Sequence, residues 1–324
     1  MHNITQYQQI FSDYLNSKTW QNQPASLYEP VNYILSLGGK RLRPVLTLMS
    51  TELFGTDCVV ALNAAMSVEV FHNFSLIHDD IMDEAPLRRG QQTVHEKWDL
   101  NTGILSGDAM LILAGRFLES YPAETFKPLM SLFNTTAIEV CEGQQYDIDF
   151  ETRDDVTEEE YLKMIAYKTA VLVGAALKMG AIIADASSKD ADAIYKFGLY
   201  LGTAFQLQDD FLDAFGDPKT FGKQVGGDIL ENKKTYLYLK TLELANKDSA
   251  NEFVQIMNND HLSKDVKVAQ IKSIYESSGS KDATTKAVER FTEKAFAVLD
   301  EMTLPKDKKK VLKQFGLQLM NRTV

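Results

Sequence analysis

Residues 59–85 read VVALNAAMSVEVFHNFSLIHDDIMDEA. The run is nearly unbroken by turn residues and is rich in Ala, Leu, Met and Val at helical spacings. It predicts one long helix, apolar nearly all round and therefore buried. Three aspartates, Asp79, Asp80 and Asp83, nevertheless sit at its end. Desolvation and like-charge repulsion both oppose that placement, so it calls for a counter-charge.

A second stretch, FQLQDDFLD at 205–213, repeats the D-D-x-x-D spacing with Asp209, Asp210 and Asp213. On a helix, residues four apart are offset by roughly 40° and share a face. Asp79 pairs with Asp83 in this way and Asp209 with Asp213, while Asp80 and Asp210 point to the side. Two such faces turned to one cavity would suit a hard divalent cation. Mg²⁺ in particular takes a few carboxylates, water and phosphate oxygens. A single copy would also suit a solvated helix face. Two copies, flanked by Leu76, Ile77 and Ile81 or by Phe211 and Leu212, argue against that. Neither run has the Gly and Glu positions of an EF-hand loop.

Basic clusters accompany the acidic runs. GGKRLRP (38–44) sets Lys40, Arg41 and Arg43 behind two glycines; Arg88 and Arg89 follow the first acidic run; GKQVGGDILENKKT (222–235) supplies Lys223, Lys233 and Lys234. Gly permits close approach, Lys supplies a point charge and Arg a bidentate fork for phosphate oxygens. Two anion sites are expected, one bridged by metal and one held by Lys and Arg alone. His72 lies about two turns before Asp79, on the same helical face.

The remaining chain also reads as helix. With 8 prolines and 18 glycines in 324 residues, the elements should be long. Helices are expected over 106–121, after a break at NTG, and over 127–151 and 190–215. Another is expected after Thr157, whose capping box closes with Glu160, and amphipathic helices over about 247–303. No strand alternation persists, and there is no GxGxxG, Walker motif or repeat. The fold class is all-α, with residues 1–324 as a single domain. Net charge −11 disfavours binding to duplex nucleic acid. Two cysteines, Cys58 and Cys141, cannot form a disulfide framework and fit a reducing cytoplasm. The first residues lack the basic and apolar regions of a signal peptide, and no uncharged apolar run reaches the roughly 18 residues of a transmembrane helix.

The ordered series GGKRLRP, HDDIMDEAPLRRG, GDAML, EGQQYD, YKTA, FQLQDDFLD and GKQVGGDILENKKT resembles the trans-isoprenyl diphosphate synthases, which include the farnesyl and geranylgeranyl diphosphate synthases. The motifs span about residues 30–240. The resemblance implies a bundle of long antiparallel helices around a central cavity. It implies Mg²⁺-assisted condensation of isopentenyl diphosphate with an allylic diphosphate, and a homodimer, for which 106–140 is the expected interface. Asp79, Asp83 and Asp209 would bind three Mg²⁺ ions, supported by Asp80, Asp210 and Asp213. Arg88, Lys168, Lys223 and Lys233 would hold the allylic diphosphate; Lys40, Arg43, His72 and Arg89 would hold isopentenyl diphosphate. Thr169 and Gln206 would face the allylic cation, with Gln144 and Asp147 lining the same cavity. Asn232 departs from the pattern, standing where many bacterial members carry Gly. Terpene cyclases and head-to-head synthases need no second diphosphate site of the Lys40/Arg43 kind. Non-catalytic subunits commonly lose one acidic motif, and this chain keeps both.

Product length should be set near Asp79, beside the tunnel for the growing chain. Phe74 can act as its floor, while Ser75 leaves space. One aromatic with no insertion in the motif resembles the archaeal geranylgeranyl type, so C20 is expected, with C15 next. Phe74 also suits plain core packing.

Overall fold

The computed structural model describes residues 1–217, 226–259 and 261–320, and these are almost entirely helical. Contacts divide the chain into two compact units, Met1–Thr135 with Ala175–Ile194, and Thr136–Gly174 with Tyr195–Val324. In chain order the helices are α1 Ile4–Asn16, α2 Ala25–Ser36, α3 Leu42–Leu53, α4 Leu62–Met82, α5 Val94–Lys97, α6 Leu100–Leu118, α7 Ala123–Glu151, α8 Glu158–Ile165, α9 Val171–Ile183, α10 Ser188–Phe215, α11 Gly227–Leu230, α12 Tyr236–Leu244, α13 Lys247–Met257, α14 Lys264–Ser277, α15 Ser280–Glu301 and α16 Lys306–Met320.

In the first unit, α4 has the expected buried character. Every residue from Ala64 to Phe71 is inside, on all sides of the helix. It starts later than the apolar run, because Cys58–Ala61 form a separate tight turn with Asp57 as its cap. The break expected at NTG is absent. Asp99 caps α6 by accepting from the Thr102 N–H, and Gly103 lies within the helix. Gly103 is there for packing: a Cβ would lie 3.0 Å from Ile81 Cδ1 of α4. One turn on, a Cβ on Gly107 would lie 2.2 Å from His78 Nε2. Glycines at i and i+4 thus let α6 approach α4 closely. After α4 comes a hairpin of two-residue strands, β1 Leu87–Arg88 and β2 Gln91–Gln92, too short to show alternation in sequence. Its turn residues, Arg89 and Gly90, both have positive φ, the geometry that matches strand twist in a two-residue turn.

In the second unit, the capping box at α8 is present: Thr157 accepts from the Glu160 N–H and Glu160 reaches back to Thr157 N–H. Phe150, Tyr161, Met164, Leu207 and Tyr236 pack as one core cluster, and Phe253, Ile271 and Tyr275 belong to another. Two segments, Cys58–Met82 and Glu158–Ile183, are long and apolar enough to cross a membrane once two charges are allowed. In each, 67% of the apolar window is buried inside the protein, as in a core helix.

Candidate active site

The first unit gathers its cations around His72. The loop into α3 turns through Gly38, Gly39 and Arg41, all at positive φ. Arg41 faces inward, where it pairs with buried Glu69 of α4 and donates to the Leu35 carbonyl. Its charge is therefore spent on fixing the loop. Arg89 closes over the same loop. Its guanidinium donates to the Gly38 carbonyl, and Cζ lies 2.9 Å from where a Gly39 Cβ would stand. Any larger residue at 39 would evict it. Arg43 Nη1 lies 3.1 Å from His72 Nε2. Arginine can only donate, so Nε2 accepts and the imidazole proton sits on Nδ1. Burial, then the charges of Arg43, Arg89, Arg88 and Arg41, hold the His72 pKa well below its usual value. A neutral imidazole among guanidinium groups leaves a net positive field suited to an anion. Lys40, next to Arg41 in the chain, is exposed.

The acidic end of α4 separates its three carboxylates. Asp79 is half-buried and Asp83, the exposed C-cap, donates its N–H to the Asp79 carbonyl at 2.8 Å. Asp80 is 1% exposed and forked by Arg88, with Nε 2.8 Å from both carboxylate oxygens and Nη2 at 2.6 Å. Burial raises the Asp80 pKa and Arg88 pulls against it. Arg88 therefore already has a carboxylate partner. One turn earlier, Phe74 packs between Phe71, at 5.5 Å between ring centroids, and His78, at 4.9 Å. Ser75 Oγ donates back to the His72 carbonyl at 2.9 Å.

The second unit builds its site on a distorted turn. Between α8 and α9, Ala166–Ala170 widen to a π turn in which the Val171 N–H donates to the Ala166 carbonyl. Such a widened turn re-aims side chains that a regular helix would hold elsewhere. Lys168 pairs with Asp147 of α7. Thr169 Oγ1 donates to Gln206 Oε1 at 3.1 Å, and Gln206 Nε2 donates to Asp210 Oδ1 at 2.9 Å. The Tyr161 hydroxyl donates to the other Asp210 oxygen. Both Asp210 oxygens are thus engaged, and burial raises its pKa despite those donors. Asp209 is half-buried beside it. Gln144 Oε1 is buried without a hydrogen-bond partner among the described residues. Gly143 makes the arrangement possible: the backbone of Lys168 occupies the space a Cβ would need.

Asp228 is a site residue that the sequence analysis does not single out, although it stands among the lysines of the motif at 222–235. It donates its N–H to Asp213 Oδ2 at 3.0 Å and lies 3.9 Å from Lys233 Nζ. Burial first, then Asp210 and Asp213, push its pKa well up. Asp147, Lys168, Thr169, Gln206, Asp210, Asp228, Lys233 and Lys234 line one cavity of about 100 Å³. Lys233 also pairs with Glu231 at 2.8 Å, whereas Lys234 reaches Asp154 at 3.3 Å and lies over the Tyr238 ring. Lys223 lies outside the described residues.

A mainly helical chain with carboxylates at helical spacing, set among guanidinium and ammonium groups, is built to handle an anionic substrate with a hard cation. The comparisons make the class specific. The polyprenyl synthetase profile matches residues 24–277, and the chain belongs to that family. The geranylgeranyl diphosphate synthase of Sulfolobus acidocaldarius is 42% identical over 243 residues, 74% of each chain. The geranylfarnesyl diphosphate synthase of Natronomonas pharaonis is 40% identical over 254 residues, 73% of this chain and 74% of that one. A crystal structure of a geranylgeranyl pyrophosphate synthase, 55% identical, superposes with a TM-score of 0.96 over 99% of both chains. The fold is that of the all-α isoprenoid synthases, and the protein is a short-chain trans-prenyltransferase. The family joins isopentenyl and allylic diphosphates and uses Mg²⁺ to ionise the latter.

Proposed function

We propose that the enzyme makes geranylgeranyl diphosphate (C20), with farnesyl diphosphate (C15) as the nearest alternative. Phe74 carries this reading. It is the one large side chain of the pair at 74 and 75, and it is held between two rings, so it can act as a stiff floor. The Sulfolobus acidocaldarius relative and the 55% identical crystal structure are named for the C20 product, while the Natronomonas pharaonis relative is named for the next longer, geranylfarnesyl product. Product sizing after complete conversion of the primer tests it. Phe74→Ala should lengthen the product by one or more five-carbon units, and Ser75→Phe should shorten it toward C15. Unchanged products in both variants would make Phe74 plain core and move the floor elsewhere, for instance to Met110 of α6.

The donor set fits Mg²⁺. Asp79, Asp83 and Asp209 supply hard oxygens, and the family resemblance suggests three ions. Bound there, the metal would neutralise the leaving diphosphate. Asp80, Asp210 and Asp213 are engaged by Arg88, by Tyr161 and Gln206, and by the Asp228 N–H, and would steady the site through those contacts and water. Arg88, Lys168, Lys223 and Lys233 hold the allylic diphosphate, and Lys40, Arg43, His72 and Arg89 hold isopentenyl diphosphate. The Gln206 and Thr169 dipoles steady the allylic cation, and Gln144 and Asp147 belong to the same part of the site. The isopentenyl double bond attacks that cation. The proton then leaves to the departed diphosphate, so no protein base is needed. Both acidic helices serve this one reaction, and residues 1–324 act as one domain.

We also propose a cytoplasmic homodimer without a transmembrane segment. Ile112 and Ile138, 65% and 60% exposed, support an interface over 106–140. A monomer mass by light scattering at micromolar concentration would refute it.

A further inference from the structure

The reading of Lys233 as a diphosphate ligand leaves open what aims it. The turn that carries it is a Schellman motif at the end of α11. The Lys233 N–H donates to the Asp228 carbonyl at 2.9 Å and the Asn232 N–H to the Ile229 carbonyl at 3.3 Å. That motif requires a left-handed residue between them, and Asn232 supplies it at φ 55°. Glycine adopts this conformation most readily and asparagine next. Asn232 therefore meets the backbone requirement that a Gly would meet. Unlike Gly, it adds a side chain, and its Oδ1 accepts from Lys267 Nζ at 2.9 Å.

Lys267 lies on α14 and is 5% exposed, an unusual place for an ammonium group. Its neighbour Val268 presses on the start of the same segment, where a Gly226 Cβ would meet Val268 Cγ1 at 2.8 Å. At the start of the turn, Asp228 ties to Asp213 of the second acidic run. We infer that Lys267 is a positioning residue. Through Asn232 it fixes the Schellman turn, and with it the direction of Lys233 and the Asp228–Asp213 contact. This inference rests on the assignment of Lys233 to the allylic diphosphate.

Asn232→Gly keeps the left-handed backbone and removes only the acceptor. Lys267→Met keeps the buried stem and removes the ammonium. Each should lower kcat/KM for the allylic diphosphate about ten-fold, the scale of one charge-assisted hydrogen bond, with KM for isopentenyl diphosphate unchanged. The double variant should be no worse than Lys267→Met alone, because Lys267→Met already removes the contact that Asn232→Gly removes. Asn232→Asp, which keeps an acceptor, should retain activity. Wild-type kinetics in Asn232→Gly, equal losses toward both substrates, or additive losses in the double variant would overturn the inference. Asn232→Gly is the milder change and decides the matter if Lys267→Met does not fold. Lys233→Ala is measured alongside. If it leaves the allylic KM unaltered, the assignment of Lys233 fails. If it is impaired while Asn232→Gly is normal, the latch alone fails.

Discussion

Gly143→Ala is the sharpest test of how the second unit is assembled. A Cβ at 143 would lie 2.2 Å from the Lys168 nitrogen, 2.7 Å from Lys168 Cα and 2.7 Å from the Tyr167 carbonyl carbon. Ordinary contact begins near 3.4 Å, so α7 and the widened turn must part by about 1.2 Å. The obstructing atoms are backbone, so no rotamer change can relieve the clash. Lys168 and Thr169 must move with it, carrying the Thr169–Gln206 contact. Overpacking of this kind costs about 1–3 kcal/mol of stability. Displacing reacting groups by about 1 Å costs on the order of 10²-fold in rate. The expected variant is folded by circular dichroism, melts a few degrees lower, and has kcat reduced about 100-fold with KM for isopentenyl diphosphate retained. Gly115→Ala is the control, since its Cβ would meet the flexible Met130 tip at 3.2 Å and the Phe133 ring at an ordinary 3.8 Å, with no backbone in the way. Single-turnover and steady-state assays against labelled isopentenyl diphosphate would measure both. A Gly143→Ala enzyme with wild-type kcat would refute the claim that this backbone contact sets the geometry of the turn.

Asp79→Ala and Asp209→Ala should each lower turnover by several orders of magnitude without unfolding, and chelation of Mg²⁺ should do the same reversibly; near-normal activity in either variant ends the metal-clamp reading. Lys40→Ala should raise KM for isopentenyl diphosphate, and Lys223→Ala that for the allylic substrate; equal effects on both substrates would mean the two anion sites are wrongly assigned. Burial alone would raise the Glu52 pKa, but hydrogen bonds from Tyr7 and His2 outweigh it and hold the group at about 2. A depressed carboxylate contributes stability that is present above its unfolded pKa and lost as pH falls. Glu52→Gln should therefore flatten the loss of Tm between about pH 4.5 and pH 2, and an unchanged acid profile would count against a stabilising role for the Tyr7 and His2 hydrogen bonds to Glu52.

The long helices were legible because a buried helix needs an apolar run, and a run of that length has few other uses. The α8 cap was legible for a similar reason, since Thr157 and Glu160 serve each other locally. The expected break at NTG failed because Gly103 answers to Ile81, a neighbour distant in sequence. The same holds for Arg41. Its place in a basic cluster gave no sign that Glu69 would draw it inside. The π turn left no signal, because five residues are too few for the shift in helical phase to show in the sequence pattern. Asp228 had one available signal, a carboxylate among lysines in a glycine-rich motif, but its tie to Asp213 depends on tertiary packing. The acidic pairs stood out because desolvation makes them costly without a purpose.

His78 lies between two residues with different duties. Its ring packs on Phe74, and its Nε2 fills the space above Gly107. The next residue in the chain is Asp79. A mutational path toward longer products that begins at Phe74 would therefore also loosen the support under the first acidic run. Gly107→Ala should be harmful alone yet tolerated after Phe74→Ala, which frees His78 to swing aside. Chain length and turnover would then evolve in a fixed order, with position 74 changing before position 107.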